Sequence, residues 1–162
     1  MRLQDKVVIV TGAGAGIGRA IATTAAAQGA TVVVTDIDGA AATAVATQIV
    51  ATQIGGTAIA YAVDVTDRGS VAAMVTAVHA AYGRIDVLVN NAGWDRAVPF
   101  IESEPELWRT VIDINDVGVL NTCREVLPIM AAQGGGRVVN LGSDAGRVGS
   151  SGEAVYSGAK GA

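Results

Sequence analysis

The sequence predicts an open, doubly wound parallel α/β sheet built as a single domain, and three observations carry that expectation. Short β-branched runs such as KVVIVT at 6–11 and TVVVT at 31–35 are apolar throughout, as strands covered by helices on both faces must be. Alanine-rich or amphipathic stretches of helical length separate those runs, so that strand and helix alternate. The 21 glycines sit at the ends of apolar runs rather than in tracts, which marks tight turns near a ligand.

Composition narrows the function classes. A chain of 162 residues that is 51% apolar and 16% charged has the means for one sizeable core. A net charge of -4 with no basic run argues against nucleic acid as a partner. The single Cys123 permits no internal disulfide, the Met1 end has no basic-then-apolar leader, and no apolar stretch approaches the roughly 20 residues that cross a bilayer. The expectation is a cytoplasmic protein with no membrane contact.

The first strand, Lys6 to Thr11, runs directly into Gly12-Ala-Gly-Ala15-Gly16-Ile17-Gly18. A helix over Arg19 to Gln28, closed by Gly29, and a strand over Thr31 to Thr35 complete a βαβ unit. A glycine-rich turn between strand and helix lets backbone amides approach a pyrophosphate, and the helix dipole adds to the attraction. The spacing Gly12-x-x-x-Gly16-x-Gly18 is not G-x-G-x-x-G, because Ile17 stands where the third glycine would fall. Asp36 ends the second strand, eighteen residues after Gly18. A carboxylate there accepts from both ribose hydroxyls and repels a 2′-phosphate, so the expected cofactor is NAD rather than NADP.

Asp38, well placed to cap, opens a helix read to Ile54 and stopped by Gly55-Gly56; Thr57 to Val63 is the third strand. Asp64 and Val65, at its carboxyl end, are candidates for the adenine, with an ordinary turn through Thr66-Asp67 as the alternative. The helix over Asp67 to Tyr82 has Val71, Met74, Val75 and Val78 on one face, and the only histidine, His79, lies beside it with no companions at metal-ligand spacing. No metal site is expected. Ile85 to Val89 forms the fourth strand, followed by Asn90-Asn91-Ala92-Gly93, small and amide residues that admit a ligand closely. After a loop containing Trp94 and Pro99, Glu106 to Met130 reads as one long helix, apolar on more than one face and interrupted by Asn115. A buried amide there is either a structural bridge or part of a polar site. Gly134-Gly135-Gly136 end it, and RVVNL at 137–141 is a fifth strand that delivers Ser143.

Tyr156 and Lys160 stand one helical turn apart near the chain end. An ammonium beside a phenol favours the phenolate, which makes Tyr156 a candidate general acid/base, and Ser143 brings a hydroxyl for a substrate oxygen.

Taken together and in order, Thr11-Gly12-x-x-x-Gly16-x-Gly18, Asp36, Asp64-Val65, Asn90-Asn91-Ala92-Gly93, Asn115, Ser143 and Tyr156-x-x-x-Lys160 resemble the classical short-chain dehydrogenase/reductase family, from residue 3 to the end. The resemblance implies a Rossmann fold and a catalytic tetrad of Asn115, Ser143, Tyr156 and Lys160. In it Ser143 holds the substrate oxygen and Tyr156 moves the proton, while Lys160 holds the nicotinamide ribose and Asn115 supports a water relay. It also implies NAD held by Gly12, Ala15, Gly16, Ile17, Gly18, Asp36, Asp64, Val65, Asn91, Ala92 and Gly93 together with Tyr156 and Lys160. The segments around Trp94-Asp95 and Ser143 to Tyr156 are most similar to bacterial alicyclic 2-hydroxyacyl-CoA dehydrogenases. That implies a small alcohol or ketone substrate, a CoA thioester among the candidates, and a homodimer or homotetramer at full length. An NADPH-linked 3-oxoacyl reductase and a nucleotide-binding module without turnover are the alternatives. Members of the family continue past the position of Ala162, so the resemblance also implies a chain incomplete at its C-terminus.

Overall fold

The computed structural model describes residues 1–52 and 56–162. Its strands are β1 (Val7–Val10), β2 (Thr31–Asp36), β3 (Thr57–Ala62), β4 (Val87–Asn90) and β5 (Arg137–Asn140). They form one parallel sheet in the order β3-β2-β1-β4-β5. Parallel neighbours need crossover connections. These are supplied by α1 (Gly16–Ala27), α2 (Gly39–Ala51) and α3 (Arg68–Tyr82), then by α4 (Pro105–Ile112) and α5 (Gly118–Ala132). Two shorter helices, α6 (Asp144–Val148) and α7 (Ala154–Gly161), follow β5. The chain builds outward from β1 through β2 to β3, then returns to place β4 on the other side of β1. The carboxyl ends of β1 and β4 therefore flank the crevice where open α/β sheets bind ligands.

Alternation along β1 divides the core in two. Val8 and Val10 face Ala22, Ala26, Val45 and Ile49 of α1 and α2. Val7 and Ile9 face Val71, Val75 and Val78 of α3 together with Val126 and Met130 of α5. The four α3 residues expected on one face are all buried, and His79 is exposed. Asp38 caps α2 by accepting from the Ala40 and Ala41 amides at 2.9 and 3.1 Å, and Asp67 caps α3 from Gly69 at 2.8 Å. Just before β4, the buried Asp86 accepts from the Val7 amide at 3.0 Å, Lys6 Nζ at 3.2 Å and Arg84 Nε at 2.8 Å, tying the start of β1 to the start of β4.

Four elements depart from the expectation. Helix α1 starts at Gly16 rather than Arg19, so its first turn contains the glycine motif. Helix α2 reaches Ala51, and Gln53 to Gly55, which the sequence reading gave to its end, lie outside the described residues. The long helix is two, joined through a π-helical turn at Asp113–Val117 that holds Asn115. Finally, β5 is exposed along its length, with Val138 and Val139 at 36% and 47%, because among the described residues no helix packs closely over it, unlike β3 at the other edge, which α2 covers. Among those residues no helix is long and apolar enough to cross a membrane.

Candidate active site

The glycine-rich turn closes against β4. Gly12 has φ +60°, and a Cβ there would lie 2.9 Å from the Ala92 Cα. A Cβ on Gly18 would overlap the Gly12 carbonyl and approach the Asn91 Nδ2 at 2.5 Å, so only glycine lets α1 start this near the turn. Gly16, with φ +51° and open space around it, is required for backbone conformation alone. Ala15 occupies the α1 N-cap position without a side-chain hydrogen bond, and Ala15, Gly16 and Ile17 are exposed. The N-terminal amides of α1 are thus presented to an anion, as a pyrophosphate cradle requires.

Thr11 stitches the two strand ends. Its Oγ1 accepts from the Asn91 and Ala92 amides, both at 3.0 Å, and donates to the Val89 carbonyl. The Asn91 side chain returns the link by donating to the carbonyls of Thr11 (2.9 Å) and Gly12 (3.0 Å). Beside this seam opens a cleft of about 500 Å³ lined by Gly12, Asp36, Asp64, Val65, Asn91, Ala92 and Gly93 of the residues expected to hold the cofactor. Asp36 Oδ2 accepts from Gly14 at 2.9 Å. Asp64 does form the ordinary turn, accepting from the Thr66 amide and hydroxyl at 2.9 and 2.8 Å, and lines the cleft as well. Trp94, in the loop after β4, lines it too, and the sequence reading missed Ile37, Val63, Thr66, Thr110, Asp113 and Ile114 in this lining. It also missed Asn121, which donates from α5 to the Val65 carbonyl at 2.9 Å. With Thr122, Arg124 and Glu125 on the same helix, no sequence signal singled Asn121 out.

Asn115 is buried, with its Nδ2 donating to the carbonyls of Trp94 (2.6 Å) and Val111 (2.8 Å) and its Oδ1 accepting from the Trp94 amide. Gly93 completes this point, because a Cβ there would lie 2.9 Å from Asn115 Oδ1 and 3.5 Å from Lys160 Nζ. Lys160 donates to the Leu141 carbonyl at 3.0 Å, and its Nζ stands 5.9 Å from the centre of the Tyr156 ring. Burial pushes the Lys160 ammonium below its usual pKa. Ser143 caps α6 by accepting from Ala145 at 3.2 Å, and Gly146 of α6 packs against the Lys160 backbone. Asn115, Gly93 and Lys160 are thus brought together directly, while Ser143 and Tyr156 sit on two helices in contact. Among the described residues no cluster of metal-ligating side chains exists.

A parallel sheet with a glycine-lined cleft at the β1/β4 switch point and a Tyr-x-x-x-Lys helix beside it defines the class of α/β dinucleotide-fold proteins. The family model described as short chain dehydrogenase matches residues 6–162. The chain belongs to the short-chain dehydrogenase family. It is 39% identical over 160 residues to the 3-oxoacyl-[acyl-carrier-protein] reductase FabG of Thermotoga maritima, aligned over 99% of this chain and 64% of that one. It is 41% identical over 147 residues to the D-threitol dehydrogenase of Mycolicibacterium smegmatis, covering 91% of this chain and 56% of the relative. An NAD+-bound xylitol dehydrogenase superimposes with a TM-score of 0.94 at 33% identity, over 99% of this chain and 62% of the other. A metagenomic short-chain oxidoreductase in complex with NADP gives 0.92 at 38%, over 99% and 72%. The chain therefore spans less than two-thirds of the length of these curated relatives.

Proposed function

We propose that residues 1–162 are the dinucleotide-binding domain of an NAD-dependent oxidoreductase that interconverts a secondary alcohol and its ketone. The convergence of Asn115, Gly93 and Lys160 beside the helix that bears Tyr156 carries this reading. The donor set fits a dinucleotide, since the open space at Gly16 and the exposed first turn of α1 suit a pyrophosphate. When bound, the nicotinamide supplies the hydride acceptor for the alcohol carbon. Tyr156 takes the hydroxyl proton, and Ser143 donates a hydrogen bond to the substrate oxygen as its charge changes. Lys160 holds the ribose, one helical turn from Tyr156. Asn115, its amide committed to Trp94 and Val111, fixes the floor beneath Lys160 and supports the water relay.

Selection of NAD is supported by the cleft lining, where Asp36, Asp64 and Asp113 contribute carboxylates and, among the described residues, no Lys or Arg stands to receive a 2′-phosphate. The substrate class is a hydroxyacyl-CoA or comparable secondary alcohol, consistent with thioester and polyol enzymes among the relatives. The exposed Ile112, Leu120 and Leu127 on α4 and α5 suit an isologous subunit contact, and the protein acts in the cytoplasm. Tyr156→Phe tests the reading. It is expected to lower turnover by about 10²- to 10⁴-fold while NADH affinity stays within about threefold. Unchanged turnover would refute it, and equal affinity for NADPH and NADH would favour the reductase alternative.

A further inference from the structure

We propose that Gly14 is a specificity-determining residue: its missing side chain lets the glycine-rich turn hold the Asp36 carboxylate where it meets the adenosine ribose. This rests on the NAD reading above. Each Asp36 carboxylate oxygen is held by a backbone amide, Oδ2 by Gly14 at 2.9 Å and Oδ1 by Asp38 at 3.0 Å. The group is thereby pinned between the turn and the entry to α2, at the cleft that Asp36 lines.

A Cβ on residue 14 would lie 2.8 Å from Asp36 Oδ2, 3.0 Å from its Cγ and 2.8 Å from the Ala41 Cβ. The space is closed on two sides. Ala41 belongs to the first turn of α2, anchored by the Asp38 cap, and a methyl rooted in a helix backbone yields little. The carboxylate is the free end of a partly exposed side chain, so it is the group that moves. Its displacement breaks the Gly14 hydrogen bond and withdraws the acceptor for the ribose hydroxyls. It also removes negative charge from the place a 2′-phosphate would occupy, so both halves of the discrimination weaken together. Gly14 is outside the left-handed region of backbone space, and alanine there tests room rather than backbone strain.

The purified chain and its variants are titrated with NADH and with NADPH by cofactor fluorescence, each variant first checked for a cooperative melt. Gly14→Ala is expected to weaken NADH by about tenfold, the worth of one hydrogen bond to a charged group, and to narrow the NADH to NADPH preference by a similar factor. Adding Ala41→Gly opens the α2 side and is expected to restore part of both. Gly14→Ala with wild-type NADH affinity and preference would overturn the role of Gly14 while leaving the cofactor reading intact. Failure of the wild-type chain to bind NADH would overturn both. If Gly14→Ala does not fold, amide exchange decides: the Gly14 N–H is protected in the wild type and exchanges fast in Asp36→Ala, and an unprotected wild-type amide overturns the proposal.

Discussion

Replacing Asp86 by Asn tests how much one buried carboxylate contributes to the joint between β1 and β4. Burial by itself pushes the Asp86 carboxyl up, but hydrogen bonds from Arg84, the Val7 amide and Lys6, with the Arg84 charge, outweigh it and hold the group at about 2 against an ordinary 3.8. That gap, at about 1.4 kcal/mol per pH unit, corresponds to roughly 2.4 kcal/mol of folding stability. Because Arg84 and Lys6 are 47% and 43% exposed, screening reduces the net to about 1–2 kcal/mol. The sign follows from a folded-state value below the unfolded one. The contribution is complete above about pH 5, half lost near pH 3 and gone below about pH 1. Urea unfolding of the wild type and Asp86→Asn, from pH 7 down to the lowest pH at which both fold, should give a stability difference that shrinks by about 1–2 kcal/mol as pH falls. A difference constant from pH 7 to pH 3 would refute the assignment.

Thr11→Val removes the acceptor for the Asn91 and Ala92 amides. At about 1–3 kcal/mol for each part-buried amide left unpaired, chemical unfolding should register a loss of about 2–6 kcal/mol, and NADH binding should weaken alongside it. Gly18→Ala should abolish saturable NADH binding, since its Cβ meets the Gly12 carbonyl and the Asn91 amide; a fluorescence titration indistinguishable from wild type would remove the close approach from the argument.

What was legible in the sequence is what depends on period and punctuation. Val71, Met74, Val75 and Val78 spaced on one face of a helix do line the core, and the alternation of strand and helix does give a parallel sheet. Asp38 falls at a cap because a short carboxylate before a helical run has few other uses, whereas Asp67, read as the first helical residue, proves to be the cap of α3. Legibility failed where a residue acts through tertiary partners. Thr11 heads the glycine motif, but its tie to the Asn91 and Ala92 amides is invisible until β4 lies beside it. The exposure of β5 reflects the lack of a helix packed closely over it among the described residues, which no local pattern encodes. The short α6 went unread because five residues have too little periodicity to register, although Ser143 at its cap was singled out for another reason.

The π-helical turn at Asp113–Val117 also sets the phase of the long helical arm. A wider turn takes up an extra residue, and each residue advances an α-helix by about 100°, so the segments on either side are rotated relative to an uninterrupted helix. This lets α4 turn one stripe to α7 while α5 turns another to α3 and β4. One rod thereby serves two masters, the sheet core and the layer that carries Tyr156. Deleting a single residue from the turn would restore regular winding and put one of those two contacts out of step.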